Sequence, residues 1–303
     1  MLEFNSVGLE FKNIADSYYN KYGERSCQHS FATSFCLKNK YNDMFVEKDG
    51  VLYICREGIS DDNERVYLFP MCDKSNKDLI INAINNVIND AHLRKKKAVF
   101  KTITKSSKDI LTKFFPDTFM IEDSRDLYEY IYDVKKIATL QGSLFQSKRN
   151  IINKFYKTYS EVIVKEIDKT SVHELKKVYE EWLYNRQNLN QSLINNEIKE
   201  FEIAIDNYDK LGLIGLSVYV DNVIVGFNFG ALVSGDTYDG MVQKGNIKYE
   251  GIYEILNRET AKMYQNVIRY MNFEEDLGVE GLRKAKLMYH PDYMIEKYIA
   301  KEK

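Results

Sequence analysis

The chain has 303 residues, 44% of them hydrophobic and 29% charged, with a net charge of −2, which is ordinary for a globular protein and enough for one large domain or two. The near-neutral balance excludes a molecule that attracts nucleic acid as a whole and leaves only a local basic patch for that role. No apolar run reaches the roughly 18 residues of a membrane helix, and the start Met-Leu-Glu-Phe-Asn-Ser has neither a basic nor an apolar leader region, so we expect a cytoplasmic protein.

In chain order, residues 7–22 carry an amphipathic helical pattern, and 31–45 is aromatic-rich without a clear period. Residues 51–55 and 66–70 read as strands around a polar loop. Ser75 stands where it would cap a helix whose apolar face is Leu79, Ile80, Ala83, Ile84, Val87, Ile88 and Ala91. A strand over 98–103, a helix over 107–115 stopped by Pro116 and a strand over 128–133 follow. This alternation favours a layered α/β domain.

Residues 135–155 read as one helix containing a single glycine, a connector between two α/β blocks. Beyond it come a strand at 162–167, and Ser171 with Glu174 as a capping box for the Trp182 helix. A helix over about 195–210 ends at Gly212. Strands 213–220 and 223–229 flank the two-residue turn Asp221-Asn222. A strand at 237–243, a helix opening at Gly251, a strand through Phe273 and a helix beginning near Gly278 to Glu280 complete the chain. The segments are expected as 1–134, 135–158 and 159–303.

The four cysteines, Cys27, Cys36, Cys55 and Cys72, have no C-x-x-C spacing and read as reduced, buried thiols. The histidines His29, His92, His173 and His290 form no zinc pattern, so no metal is expected.

Several motifs together resemble the phosphatidylglycerol lysyltransferase C-terminal domain family. They are R-D-x-x-E-Y-I-Y-D at 125–133, L-x-G-x-x-x-x-x-K-R-N-x-I-x-K-F at 140–155, G-I-Y-E-I-L-N at 251–257, E-E-D-L-G at 274–278 and G-L-R-K-A-K-L-M-Y-H-P at 281–291. The resemblance implies an α/β chain of two GNAT-like domains in tandem, each a mixed sheet flanked by helices, with the donor site in the C-terminal one. It also implies kinship with Fem-type transferases that draw on aminoacyl-tRNA. A lipid-headgroup acceptor is the family's expectation, beside a small molecule or a peptide. One departure is Gln243, where an acidic residue is expected before Lys244.

A transferase of this kind has to hold donor phosphates, polarise an acyl carbonyl and move protons. The loop Gln243, Lys244, Gly245, Asn246 and Lys248, the helix start Gly251, and Tyr253 and Asn257 beyond it are the candidate phosphate and donor contacts, because helix N-termini bind anions; the alternative is an ordinary loop with solvated lysines. Tyr289, in the run Ala285-x-x-x-Tyr289, resembles the GNAT tyrosine that protonates the leaving group; the alternative is a core tyrosine. Glu274, Glu275 and Asp276 follow a strand and are candidate base or amine anchor, or else a helix cap. Lys148, Arg149 and Asn150, with Arg283, Lys284 and Lys286, are candidate nucleic-acid or anion contacts, or else solvated helix faces.

The expectation is therefore acyl or aminoacyl transfer to an amine or hydroxyl by direct attack, with aminoacyl-tRNA or an acyl-coenzyme A as donor substrate and no tightly bound cofactor. Coenzyme A as donor and a non-catalytic binding module remain the two alternatives.

Overall fold

The computed structural model describes residues 2–184 and 191–303. In chain order its elements are β1 (Asn5–Ser6), α1 (Lys12–Tyr22), α2 (Phe31–Cys36), α3 (Lys38–Tyr41), β2 (Asp43–Lys48), β3 (Val51–Arg56), β4 (Glu64–Tyr67), α4 (Lys77–Leu93), β5 (Lys97–Ile103), α5 (Lys105–Phe114) and β6 (Phe119–Asp123). Then come β7 (Glu129–Asp133), α6 (Val134–Thr139), α7 (Gln146–Thr158), β8 (Val162–Glu166), α8 (Leu175–Tyr184), α9 (Gln191–Asp206), α10 (Tyr208–Leu211), β9 (Ile214–Val220), β10 (Val223–Val233) and β11 (Thr237–Gly245). The last are α11 (Ile252–Tyr264), β12 (Tyr270–Glu275), α12 (Glu280–Leu287), β13 (Tyr293–Ile295) and β14 (Tyr298–Glu302). Two compact units result, and neither is a single run of sequence.

The first unit comprises Met1–Glu129, Glu275–Glu280 and Met294–Lys303. Its sheet runs β1-β2-β3-β4-β5-β14-β6. β4 and β5 are parallel, in register from Glu64↔Lys97 to Tyr67↔Phe100, and β5 then continues to Ile103. The crossover α4 lays Ile80, Ala83, Ile84, Val87 and Ala91 against Tyr67, Phe100 and Phe119 in the core. Asn76, not Ser75, caps this helix, its Oδ1 accepting from the Leu79 amide at 3.1 Å. Ser75 is engaged instead with Asp73. The final strand β14 enters between β5 and β6; the sequence reading did not identify it, because Y-I-A-K-E is short and has charges inside it.

The second unit comprises Tyr130–Glu274 and Gly281–Tyr293. Its sheet runs β13-β7-β12-β11-β10-β9-β8. The β9–β10 turn has Asp221 and Asn222 both in the left-handed region, φ 50° and 62°, as the tight hairpin requires. β11 and β12 are parallel and in register only at Thr237↔Tyr270, Tyr238↔Met271 and Asp239↔Asn272. Beyond Asp239, β11 runs on to Gly245 beside β10 alone among the described residues. The parallel pair thus opens into a V. Helix α11 crosses beneath it, and Gly245 allows the approach: a Cβ there would lie 2.8 Å from Ile252 Cγ2.

The expected 135–155 helix is broken. Leu140 turns left-handed at φ 48°, Gly142 follows at φ 91°, and the chain restarts as α7. The expected capping box at Ser171 and Glu174 does not form; Asp168 Oδ1 accepts the Thr170 and Ser171 amides instead. Asp is the stronger acceptor there, being charged and two to three residues ahead of the donors.

Candidate functional site

The V between β11 and β12 is the candidate site of the second unit, since ligands of α/β sheets collect where neighbouring strands part. Backbone amides on the unpaired edge of β11 point into that gap at every second residue.

Three elements and the turn after α12 contribute a connected set of side chains beside it. Gln243 comes from the open stretch of β11, and its Nε2 donates to Asn257 Oδ1 at 2.7 Å. Asn257 and Glu254 sit three residues apart on α11, hence on one face. Lys148 rides the buried stripe of α7 with Ile152 and Phe155. Its Nζ is 3.0 Å from Glu254 Oε1, and the pair is largely enclosed, with 6% and 18% of the side chains exposed. The same ammonium stands 4.3 Å from the centre of the Tyr289 ring, a cation–π contact.

Tyr289 is clamped edge-on by Tyr132 at 6.3 Å and Phe273 at 5.8 Å. It lies in a turn past the end of α12, not on a helix shared with Ala285, so the A-x-x-x-Y spacing there is not a helical repeat. Among the described residues its buried hydroxyl has no hydrogen-bond partner. Burial, and then the Glu254 charge, push the phenol's pKa above its ordinary value, while Asn257 pulls the other way. At neutral pH Tyr289 is therefore protonated, in the state of a proton donor.

The other candidates fall into place around this group or away from it. Lys244 Nζ is 2.6 Å from Glu197 Oε1 and 3.7 Å over the Trp182 ring. Asn246 Nδ2 donates to Glu181 at 2.8 Å and its Oδ1 accepts the Lys248 amide. Tyr253 Oη reaches the Gly245 carbonyl at 3.5 Å. Gly251 is the N-cap of α11, left-handed at φ 94°; Lys248 is exposed. Arg149 is spent on the break after α6, donating to the Leu140 and Gly142 carbonyls and to Gln146. Asn150 bonds Gln146 on the helix surface. Arg283 and Lys286 are half-buried, and Lys284 is exposed on α12.

The three consecutive carboxylates have three separate surroundings. Glu274 is left-handed at φ 56°, its amide donating to Asn272 Oδ1. Asp276 is fully buried, 3.3 Å from Arg125 Nη1, and accepts the Gly278 amide at 2.9 Å, which makes it a turn former. Glu275 belongs to a buried cluster of the first unit. There Lys297 Nζ is 2.5 Å from both Glu129 Oε1 and Ser26 Oγ. Glu129 Oε2 accepts the Cys27 amide at 2.9 Å, and Cys27 Sγ is 3.5 Å from Glu275 Oε1. Burial, then the Glu129 charge, raise the Glu275 pKa. Among the described residues, Cys27, Glu129 and Glu275 are the trio with ligand atoms within 4.8 Å of one another; the Lys297 ammonium supplies the positive charge there.

Sequence reasoning missed Glu254, Glu129 and Lys297. Glu254 had a signal, lying three residues before Asn257 on the apolar α11 pattern. Glu129 is the fixed acid of the R-D-x-x-E-Y-I-Y-D motif, but nothing local links it to Lys297, 168 positions away.

The comparisons with known proteins agree with this architecture. The model of the family "Phosphatidylglycerol lysyltransferase, C-terminal" matches residues 19–301. A conserved protein of unknown function from Bacteroides thetaiotaomicron has 29% identity and a TM-score of 0.92 over 100% of both chains. The L-PGS of Bacillus licheniformis (14% identity, TM-score 0.66, 95% of this chain and 90% of that one) and FemX (9%, 0.66, 99% and 97%) share the fold. An uncharacterised protein of Mycoplasmoides gallisepticum is 26% identical over 177 residues, 57% of this chain and 55% of that protein; the chain spans about half the length of this curated relative. Two mixed sheets with flanking helices, a V-shaped parallel junction in the second, and a family match across nearly the whole sequence agree: the chain belongs to the phosphatidylglycerol lysyltransferase C-terminal family.

Proposed function

We propose that the chain is an aminoacyltransferase that moves an aminoacyl group from aminoacyl-tRNA to an amine or hydroxyl acceptor by direct attack. The observation that carries the reading is the buried, protonated Tyr289 hydroxyl beside Asn257, one hydrogen bond from Gln243 on the open edge of β11. Amides on that edge would hold the carbonyl oxygen as charge develops on it. Tyr289 would return a proton to the departing ribose hydroxyl. Family membership supports the aminoacyl group, and a lipid headgroup, a peptide or a small amine is the acceptor class. The donor is a cytoplasmic molecule, and the reaction belongs in that compartment.

An acyl-coenzyme A donor has less support. The loop that would cradle its pyrophosphate has Lys244 tied to Glu197 and Asn246 tied to Glu181, with Glu250 beside them. No helix among the described residues is long and apolar enough to cross a membrane.

The test is thermal shift of the purified chain against charged tRNA, acetyl-coenzyme A and coenzyme A at low and high salt. A ligand that binds only the native state raises the melting temperature. Stabilisation by charged tRNA that fades with salt supports the reading. A salt-resistant shift with coenzyme A species overturns it in favour of an N-acyltransferase. No shift with any of them points to a binding module.

A further inference from the structure

We infer that Lys244 is a specificity residue: its ammonium fills a cation subsite built by Trp182, Tyr179 and Glu197, so that the chain takes a neutral aminoacyl group and rejects a cationic one. The inference rests on the reading of the β11 edge as the place where the acyl group is held, and it names the class of acyl group.

The two faces of the open β11 stretch differ. Neighbouring residues of a strand point to opposite faces. Gln243, opposite Asn228 of β10, turns to α11, where Gln243 bonds Asn257 and Asn228 bonds Thr260. Lys244, opposite Phe227, turns to α8 and α9. Phe227 packs there on Phe201 at 5.8 Å. Phe201 stacks on Tyr179 at 4.1 Å with the ring planes 9° apart, and Tyr179 stacks on Trp182 at 5.8 Å. All four rings are buried, so the row is fixed by packing. Lys244 Nζ ends on this row, 3.7 Å over the Trp182 ring and 5.9 Å from the Tyr179 ring, with Glu197 Oε1 2.6 Å away.

Ring faces with a carboxylate beside them are the parts of a site for an alkyl ammonium. The Lys244 side chain is 12% exposed and that of Glu197 40%, so the cation is enclosed and the carboxylate reaches solvent. An acyl group hydrogen-bonded to the β11 edge carries its substituent between the Asn257 face and the Lys244 face. A lysyl or arginyl substituent on the Lys244 face would have to displace that ammonium or sit against its charge, and like charges in an enclosed site strongly disfavour binding. An acidic substituent would meet Glu197 in the same way. A neutral one meets neither cost, because Lys244 and Glu197 cancel each other.

Trp182 is the one tryptophan of the chain, and its fluorescence reports on the subsite directly. Lys244→Ala removes the part of the side chain that propylammonium reproduces as a free molecule. The full chain is titrated with propylammonium and with 1-propanol. The expected result is a saturable change with propylammonium in Lys244→Ala, none in wild type, and binding of the alcohol weaker by about tenfold. Adding Glu197→Gln to the variant should weaken the ammonium response. No saturable change in Lys244→Ala, or equal binding of alcohol and ammonium, overturns the subsite. Lys244→Ser carries the same titration if the alanine variant does not fold. Selection is read with one tRNA charged in turn with an alanyl and a lysyl group. Wild type should hold the alanyl form about tenfold tighter, and Lys244→Ala should close the gap. Equal affinity of wild type for the two overturns the inference and leaves the proposed function standing. A subsite that fills with propylammonium in a chain that binds neither charged tRNA removes the proposed function, and the selection with it.

Discussion

Lys297 Nζ and Glu129 Oε1 lie 2.5 Å apart with neither side chain exposed to solvent. Burial alone would drive the Lys297 pKa down, yet the Glu129 charge, the hydrogen bond to Glu129 and the Cys27 and Glu275 groups together outweigh it, and the net shift is upward. The pair ties the last segment of the chain to residue 129 and, through Ser26 and Cys27, to the start of the first unit. Lys297→Met leaves a buried carboxylate without its cation. We expect a loss of about 3–5 kcal/mol in urea unfolding. Pairing it with Glu129→Gln should recover a large part of that loss, because the desolvated charge is then gone. Equal losses in the single and double variants would show that packing, not charge, carries the cost.

Acid sensitivity should appear well above the usual carboxylate range. Burial, then the Lys297 and Lys74 charges, hold the His29 pKa at about 3, against 6.5 in the unfolded chain. Below pH 6.5 the unfolded chain takes up a proton that the folded one refuses. Stability present above pH 6.5 is thus lost between about 6.5 and 3, at up to about 1.4 kcal/mol per pH unit. Glu24 adds to this lower down. Burial pushes its pKa up, but Lys74 and Ser106 bring it to about 2, so its contribution, present above about 4.5, is lost as pH falls toward 2. Glu275 titrates in the opposite sense, since its pKa is raised. Urea unfolding of wild type and His29→Gln between pH 7 and 5 isolates the imidazole: the variant should lack the slope. A matching slope in both would place the effect elsewhere.

Tyr289→Phe separates chemistry from packing. The hydroxyl is buried and has no hydrogen-bond partner among the described residues, so its removal should change stability by less than about 1 kcal/mol. The ring keeps its contacts with Tyr132, Phe273 and Lys148. If the phenol is the acid, kcat should fall by about 10²–10⁴ with little change in KM. Unchanged turnover would reduce Tyr289 to a core residue.

What was legible in the sequence was local. The Asp221-Asn222 turn, the Gly212 helix end and the α11 start at Gly251 are signals within a few residues, and all appear in the structure. The Lys-Arg-Asn run shows the limit. Its composition reads as a cationic surface, yet Lys148 falls on the apolar stripe with Ile152 and Phe155 while Arg149 closes a turn. Only the helix phase, fixed by the break at Leu140, separates those roles. A parallel strand pair lies inside both sheets, in register as far as Tyr67/Phe100 in one and Asp239/Asn272 in the other, without any repeat in sequence. The Glu129–Lys297 pair is invisible for the reason that long-range pairs generally are: no local pattern constrains them.

Gly230 is where the second sheet should be most fragile. It sits at the register shift of β10 between Phe229 and Ala231. A Cβ there would lie 1.7 Å from the Asp239 carbonyl oxygen and 2.8 Å from its carbon, both backbone atoms of β11. Asp239 is also the last residue of β11 in register with β12, so β11 has no free side toward which to retreat. Gly230→Ala should therefore cost more than about 4 kcal/mol, in the range reserved for severe core disruption. Gly235→Ala is the control. Its φ of +72° is strained for alanine, but nothing lies within 4 Å of the added Cβ, and about 1–2 kcal/mol is expected. Both are read by urea unfolding, with donor-induced thermal shift on whatever folds. If Gly230→Ala forces β11 outward without unfolding the unit, the opening that carries Gln243 changes shape and donor stabilisation should vanish, whereas Gly235→Ala should retain it. Equal and small costs for the two would mean that β11 is not pinned between its neighbours, and that the V is a soft feature rather than a preformed site.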